Sequence, residues 1–315
     1  MRHAILISVA LAAIVLAADE SAREIVYLTM TYPGRVPIFD NGYMFKINTA
    51  PQSGPAPDSF GAWDTEGQWM YQAYFTTPDG TPAAVRSAAA DTDKTVIASI
   101  GYGVRGGYKG GIAFLDPTGK QVRFVSTDRY QPMALCFAPD HSIWAAGWQR
   151  SPKGDVEDPS GYSIVHKFSS DGTPAGEFLL RSEFPPGLPP AASGISWIRA
   201  ADDRVGVMLY PGQTSAYPEW VELDFSGNLI GRWKIGRTGQ FNGFAFTADA
   251  RLIVLSYDPE TKKYQLMSFD RKSSSWQAVD GGIKGLLLGA DGNDLVFQMS
   301  DRNANGVRTV RVALK

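Results

Sequence analysis

The segment Asp301-Arg302-Asn303-Ala304-Asn305-Gly306 carries oxygen side chains at alternate positions. This is the first half of a calcium loop, in which Asp and Asn oxygens replace the ion's water shell. A full loop places a bidentate carboxylate at its twelfth position, which here is Val312. Asp301, Asn303 and Asn305 are therefore candidate Ca2+ ligands for a weak site at most, and Asx turns in a hairpin loop account for the same residues. Gly101-Tyr102-Gly103-Val104-Arg105-Gly106 matches the glycine pattern of a dinucleotide loop. That chemistry needs a helix directly after the glycines, so that its N-terminus meets the pyrophosphate. Gly107-Tyr108-Lys109-Gly110-Gly111 and a β-prone run follow instead, so the glycines read as a flexible loop between two strands.

Nucleophilic and transition-metal chemistry lack their parts. The chain has three His and one Cys, and no G-x-S-x-G. His141 falls in a turn and His166 in a strand, His3 lies in the N-terminal apolar segment, and no catalytic residue is assigned. One Cys excludes an internal disulfide framework and any multi-Cys zinc site. Cys136, inside the run Ala134-Leu135-Cys136-Phe137, reads as a buried small hydrophobe. Apart from the weak calcium loop, no motif calls for a cofactor.

The elements that would position any site follow a repeat of apolar run, Asp-bearing turn and apolar run. Asp40, Asp91, Asp140, Asp202, Asp249 and Asp291 mark the turns, at separations of 51, 49, 62, 47 and 42. Asn41-Gly42 between β-formers is the strongest of these hairpin signals, because both residues tolerate positive φ. Between the marked turns lie second hairpins, at Asp64, Asp116, Asp171, Asp224 and Asp270. No window shows sustained helical periodicity. Two hairpins make four strands, and four-stranded repeats of this length are blades of a β-propeller. The last repeat ends after a third strand at 307–312, and the β-prone residues 24–30 belong to no other hairpin. The expected fold is all-β: a six-bladed β-propeller of four-stranded antiparallel blades, one domain over 19–315, closed by the N-terminal strand.

On Phe137-Ala138-Pro139-Asp140 and Phe114-Leu115-Asp116-Pro117-Thr118-Gly119 the chain resembles the secreted bacterial six-bladed propellers, the group of NHL-repeat, SMP-30-like and TolB-like domains. The resemblance covers nearly all of the chain after residue 18. It implies the fold and leaves function open, because such propellers include lactonases, dehydrogenases, binding scaffolds and assembly factors. SMP-30-like lactonases hold a divalent metal on an early Glu with later Asn and Asp. The matching early region here is Tyr32-Pro33-Gly34-Arg35, without that Glu.

The N-terminus reads as an address. An apolar run from Ala4 to Ala18 follows Arg2 and ends in small residues, within signal-peptide range and short of the roughly 20 residues that span a bilayer. Residues 1–18 are expected to be cleaved. No lipid-accepting Cys stands at that point, and no later stretch is long and apolar enough to cross a membrane. The expected location is secreted or periplasmic. With 30 Lys and Arg against 32 Asp and Glu, charge gives no reason to expect nucleic acid as a partner.

In a propeller the loops entering each first strand ring the channel mouth. Alignment on the turn aspartates puts Met133, Asn242 and Lys284 at one position, with Ala84 and Ile195, and makes Gln131 and Gln240 equivalent. Polar residues there need partners or ligands. Lys284, Asn242, Gln131 and Arg86 are thus the candidate ligand-binding residues, suited to an anionic or hydroxyl-rich ligand. The aromatics Trp63, Trp69, Tyr71, Tyr74 and Phe75 read first as packing between blades. The loops 151–161 and 184–190 are alternative binding positions. The functional expectation is a non-enzymatic scaffold that binds a protein, glycan or small molecule. The alternative is a metal-dependent lactonase or hydrolase of the SMP-30-like type.

Overall fold

The computed structural model describes residues 24–25, 37–48, 58–104, 107–151, 158, 161–184, 197–209, 218–236, 240–281, 283–300 and 307–314. Strand β1 (Glu24–Ile25) comes first. One four-stranded sheet holds β2 (Ile38–Asp40), β3 (Tyr43–Asn48), β4 (Ser59–Trp63) and β5 (Trp69–Tyr74). The next holds β6 (Ala84–Ala90), β7 (Val96–Val104), β8 (Gly107–Leu115) and β9 (Gln121–Asp128). A third holds β10 (Tyr130–Phe137), β11 (Ile143–Gln149), β12 (Ser163–Phe168) and β13 (Pro174–Leu180). A fourth holds β14 (Trp197–Ala200), β15 (Arg204–Leu209), β16 (Glu219–Asp224) and β17 (Leu229–Lys234). The fifth sheet has eight strands, and its first four in chain order are β18 (Gln240–Phe246), β19 (Leu252–Asp258), β20 (Lys263–Asp270) and β21 (Ser275–Gly281). It continues with β22 (Leu286–Asp291), β23 (Asp294–Ser300) and β24 (Val307–Ala313), and β1 completes it. The only helical element among the described residues is a 3₁₀ turn at Arg181–Glu183. No helix there is long and apolar enough to cross a membrane.

The turns have local causes. Asp64 Oδ1 accepts the backbone N–H groups of Glu66 and Gln68 at 3.0 and 2.8 Å, and Asp224 Oδ1 those of Ser226 and Asn228 at 2.9 and 2.8 Å. Each carboxylate thus folds the next four residues back on the strand. Asn41 and Gly42 join β2 to β3 with φ of +45° and +82°, the left-handed pair that a two-residue hairpin requires.

Apolar clusters lie between consecutive sheets. Phe45, Phe60 and Phe75 pack with Val85 and Ile100, Ile97 and Ile112 with Leu135 and Ile143, and Trp144 and Ile164 with Ile198 and Val207. Met208 and Trp220 pack with Phe246 and Leu252, and Ile253 and Leu255 with Leu295 and Phe297. Phe39, Met44 and Trp63 pack with Leu288 and Val296, so the first sheet also meets the end of the last. The first strands of the sheets approach one another, β2 beside β6 and β22, β6 beside β10, and β10 beside β14. β18 pairs with β22 in parallel, Gly243 opposite Leu287. β1 pairs with β24, Glu24 opposite Val310 and Ile25 opposite Thr309; the rest of the expected strand 24–30 lies outside the described residues.

Two expectations change. The glycines of 101–104 are not in a loop: Gly101 to Val104 pair with Gly110 to Gly107 in the β7–β8 ladder. A Cβ on Gly110 would stand 2.0 Å from the Tyr130 carbonyl oxygen, so the glycine lets β10 come close. The repeat register also shifts by two residues in the second sheet. Asp91, Ala138 and Thr247 donate their N–H to Thr95, Ser142 and Arg251. Lys94, His141 and Ala250 take left-handed φ of +73°, +63° and +62°. Asp93, not Asp91, is therefore the counterpart of Asp140 and Asp249, and Arg86, not Ala84, is the counterpart of Met133 and Asn242. Of the aromatics near Trp63, the structure buries Trp63, Tyr71 and Phe75, while Trp69 and Tyr74 are exposed.

Candidate functional site

The corrected register places one irregularity near the start of three first strands. Ladder shifts occur between Val85 and Ser87, between Pro132 and Ala134, and between Phe241 and Phe244. Each bulge breaks the pleat and re-aims the residue it holds. Those residues are Arg86, Met133 and Asn242 with Gly243.

Gln131 stands two residues before the Met133 bulge and is 3% exposed. Its amide Oε1 lies 3.1 Å from the point that a Cβ on Gly101 would occupy, and Arg86 Nε lies 3.7 Å from the same point. The missing side chain at Gly101 is what lets Gln131 of one sheet and Arg86 of the next share one neighbourhood. Gln131 Nε2 is buried without a hydrogen-bond partner among the described residues. So is the indole Nε1 of Trp148, the residue opposite Gln131 in the β10–β11 ladder. Beside Arg86, the Val85 N–H donates to Asp58 Oδ2 at 3.2 Å.

Asn242 is half-buried in β18 and Lys284 is exposed just before β22. Since Gly243 pairs with Leu287, Lys284 stands level with Gln240, not with Asn242 as alignment on the aspartates has it. The structure thus brings Gln131 and Arg86 together, and sets Asn242 and Lys284 near the starts of two neighbouring strands. Asp301, Asn303 and Asn305 lie outside the described residues. Among the described residues no three His, Cys, Asp or Glu side chains gather as a metal site requires.

At the opposite, turn-bearing ends of the first strands, a cluster appears that no sequence spacing signals. Arg199 of β14 donates from Nη2 to the Phe39 carbonyl at 3.1 Å and from Nη1 to the Ile198 carbonyl at 2.8 Å, with the Leu135 carbonyl at 3.5 Å from Nη1. Its Nε is 3.7 Å from Asp40 Oδ1. One guanidinium therefore ties three sheets together. Asp40 Oδ2 accepts the Ala90 N–H at 3.1 Å. Burial pushes the Asp40 carboxyl up to about 6, against the opposing pull of Arg199 and of the Ala90 N–H, with Asp91 adding a small upward push. Asp91 in turn holds His141 Nδ1 at 2.8 Å, which raises the imidazole's pKa through the hydrogen bond and the charge. Cys136 is buried, and desolvation raises its thiol far above the usual range. His166 stacks on Tyr130 at 3.6 Å and is held below the ordinary value by burial. Asp91 engages His141, Tyr130 and the Ser163 carbonyl engage His166, and among the described residues no hydroxyl side chain is hydrogen-bonded to either ring.

No protein-family model and no curated protein matches the chain. Solved structures do. A gluconolactonase from Xanthomonas campestris is similar at 12% identity and a TM-score of 0.52, covering 94% of this chain and 91% of that one. TolB from Acinetobacter baumannii is similar at 13% identity and a TM-score of 0.48, over 86% and 63%. The PQQ-bound aldose sugar dehydrogenase from Streptomyces coelicolor is similar at 13% identity and a TM-score of 0.47, over 94% and 100%. The four-stranded antiparallel sheets, the apolar seams between them and the gluconolactonase likeness together identify the fold of this chain as a β-propeller.

Proposed function

We propose that the chain is an exported six-bladed β-propeller that binds a ligand at its channel mouth and performs no chemistry on it. Six blades follow if the eight-stranded sheet is two four-stranded units, β18 to β21 and β22 to β24 with β1, joined at the single parallel pair Gly243 and Leu287. Closure of the ring draws support from the β1–β24 pairing and from the packing of Phe39 and Met44 on Leu288 and Val296. Export rests on the apolar run of residues 4–18.

One observation carries the binding function: the buried Gln131 amide, with Nε2 unpartnered, gathered against Gly101 with the Arg86 guanidinium. A buried amide N–H without a partner is costly, of the order of 1–3 kcal/mol, and a bound acceptor removes that cost. Asn242 and Lys284, near the starts of two neighbouring strands, are assigned to the same mouth in this reading. The test is a calorimetric screen of the chain without residues 1–18 against neutral sugars and sugar acids, with lactone hydrolysis assayed in parallel in the presence of calcium, zinc or manganese ions. Binding without turnover is expected, weakened by Gln131→Ala, Arg86→Ala, Asn242→Ala and Lys284→Ala. Binding that none of the four variants alters would overturn the site. Ion-dependent lactone turnover would replace this reading with the lactonase alternative.

A further inference from the structure

A sheet edge offers unpaired N–H and carbonyl groups to any extended chain, and proteins blunt such edges with charge, Pro or bulges. The first strands of these sheets approach one another, so the last strands lie outermost. Most of them carry a charge: Arg123 in β9, Glu177 in β13, Arg232 in β17, Asp280 in β21 and Glu24 in β1. β5, Trp69-Met70-Tyr71-Gln72-Ala73-Tyr74, has no charge, Pro or Gly. It pairs with β4 on one side and, among the described residues, with no strand on the other. Just beyond it the Gln121 side-chain amide accepts the Thr76 N–H at 3.4 Å and donates to the Thr76 carbonyl at 2.8 Å, as a paired strand would. Trp69, Gln72 and Tyr74 stand opposite Trp63, Gly61 and Ser59, so the three share one side of the sheet. Trp69 is 54% exposed and Tyr74 57%. A Cβ on Gly61 would stand 2.7 Å from the Trp69 ring, so the glycine lets that indole lie across the sheet, 4.8 Å from the Trp63 ring. Between the aromatics, Gln72 Nε2 donates to Ser59 Oγ at 3.0 Å. Carboxylates bracket the strand, Asp64 and Glu66 in the turn before it and Asp79 in the turn after it. The nearby cations have carboxylates of their own: Arg311, which reaches the Thr65 carbonyl, pairs with Asp291, and Lys120, beside Gln121, lies near Asp116.

We infer that β5 is a docking edge for a partner protein, which adds an extended segment there as a fifth strand, the segment being uncharged and β-prone in its middle and basic at both ends. The inference is independent of the channel-mouth reading. Main-chain hydrogen bonds to the open edge supply the affinity, and alternate side chains of the added strand pack beside Trp69 and Tyr74. The bracketing carboxylates select the basic ends. A second copy of this chain fits less well, because an antiparallel pair of β5 strands brings Glu66 of one copy towards Asp79 of the other.

The probe is an end-capped peptide, Arg-Thr-Val-Tyr-Val-Thr-Arg, titrated calorimetrically into the chain. A 1H–15N spectrum follows the Trp69 indole N–H, assigned by its loss in Trp69→Phe. The peptide is expected to bind and to move that signal. The same peptide with Glu at both ends should bind about tenfold more weakly, and added salt should narrow the gap. Two further forms carry N-methyl groups on alternate amides, one form for each edge of the extended peptide. One should lose binding and the other keep it, because only one edge of an added strand faces β5. Gln72→Lys and Tyr74→Lys put a charge at exposed positions of the edge. Each should weaken the basic peptide about tenfold while the melting temperature stays within a few degrees of the parent. Equal binding of the two methylated forms would overturn strand addition. Binding of cellohexaose at Trp69 with none of the peptide would make the aromatics a sugar platform and overturn it too. So would self-association that Tyr74→Lys abolishes with no peptide bound, since the occupant would then be a second copy. No binding of the basic peptide at millimolar concentration would likewise overturn it.

Discussion

Arg199 and Asp40 lie 159 residues apart in sequence, yet the guanidinium Nε stands 3.7 Å from the carboxylate Oδ1. Both side chains are largely buried, and Arg199 also donates to carbonyls of two other sheets. A buried ion pair gains coulombic energy and loses hydration, so its sign depends on what else the two groups bond. Here the carbonyl and N–H partners are present, but burial still outweighs the guanidinium in its effect on Asp40.

That balance fixes a pH dependence. The folded carboxyl titrates at about 6, above its ordinary value of 3.8, so the folded state binds this proton more readily than the unfolded chain. Asp40 therefore adds to stability as pH falls from about 6 towards 3.8, and opposes folding above 6. The difference is on the order of 3 kcal/mol at most. Asp40→Asn is expected to flatten the wild-type profile between pH 4 and 7, as read by urea unfolding at each pH. Parallel profiles for the two proteins would contradict this account.

Arg199→Met should be among the more damaging single changes. It strands Asp40 without its counter-ion and leaves the Phe39 and Leu135 carbonyls without this donor. Breaking one side of a buried pair costs about 3–5 kcal/mol. In a double-mutant cycle, Asp40→Asn on top of Arg199→Met should recover part of that loss, by 1 kcal/mol or more. Strictly additive losses would show that the pair is not coupled.

The proposed ring closure predicts an effect of the N-terminal strand. Deleting residues 19–31 removes β1, which lies along β24, and leaves that strand with an open edge. The melting temperature should fall by several degrees and aggregation on heating should rise. A truncated protein that melts like the parent would refute closure by this strand.

Cys136 should be inert. It is 1% exposed, and burial raises its thiol pKa, so almost no thiolate exists at neutral pH. A thiol reagent should modify it only in denaturant. Complete labelling of the native protein within minutes would disprove this.

Strand and turn positions were legible in the residues, because their causes are local. An Asp that accepts N–H groups two and four residues on, or an Asn-Gly pair at positive φ, acts within one hairpin and leaves its mark in the order of residue types. The repeat length was legible for the same reason. Which aspartate counts as equivalent was not. Asp91 and Asp93 are both plausible by spacing, and only the backbone hydrogen bonds of the turn select Asp93. That choice moves Arg86 into the place expected for Ala84. The meeting of Gln131 with Arg86 depends on how one sheet stacks on the next and on the space left by Gly101. The meeting of Arg199 with Asp40 depends on several sheets turning their first strands towards one another. No periodicity encodes such contacts: stacking is fixed by the summed shape of many apolar side chains, whereas hairpins are fixed by a few residues in sequence. The sequence alone therefore determined the hairpins and their repetition, and the tertiary structure decided which polar groups face one another.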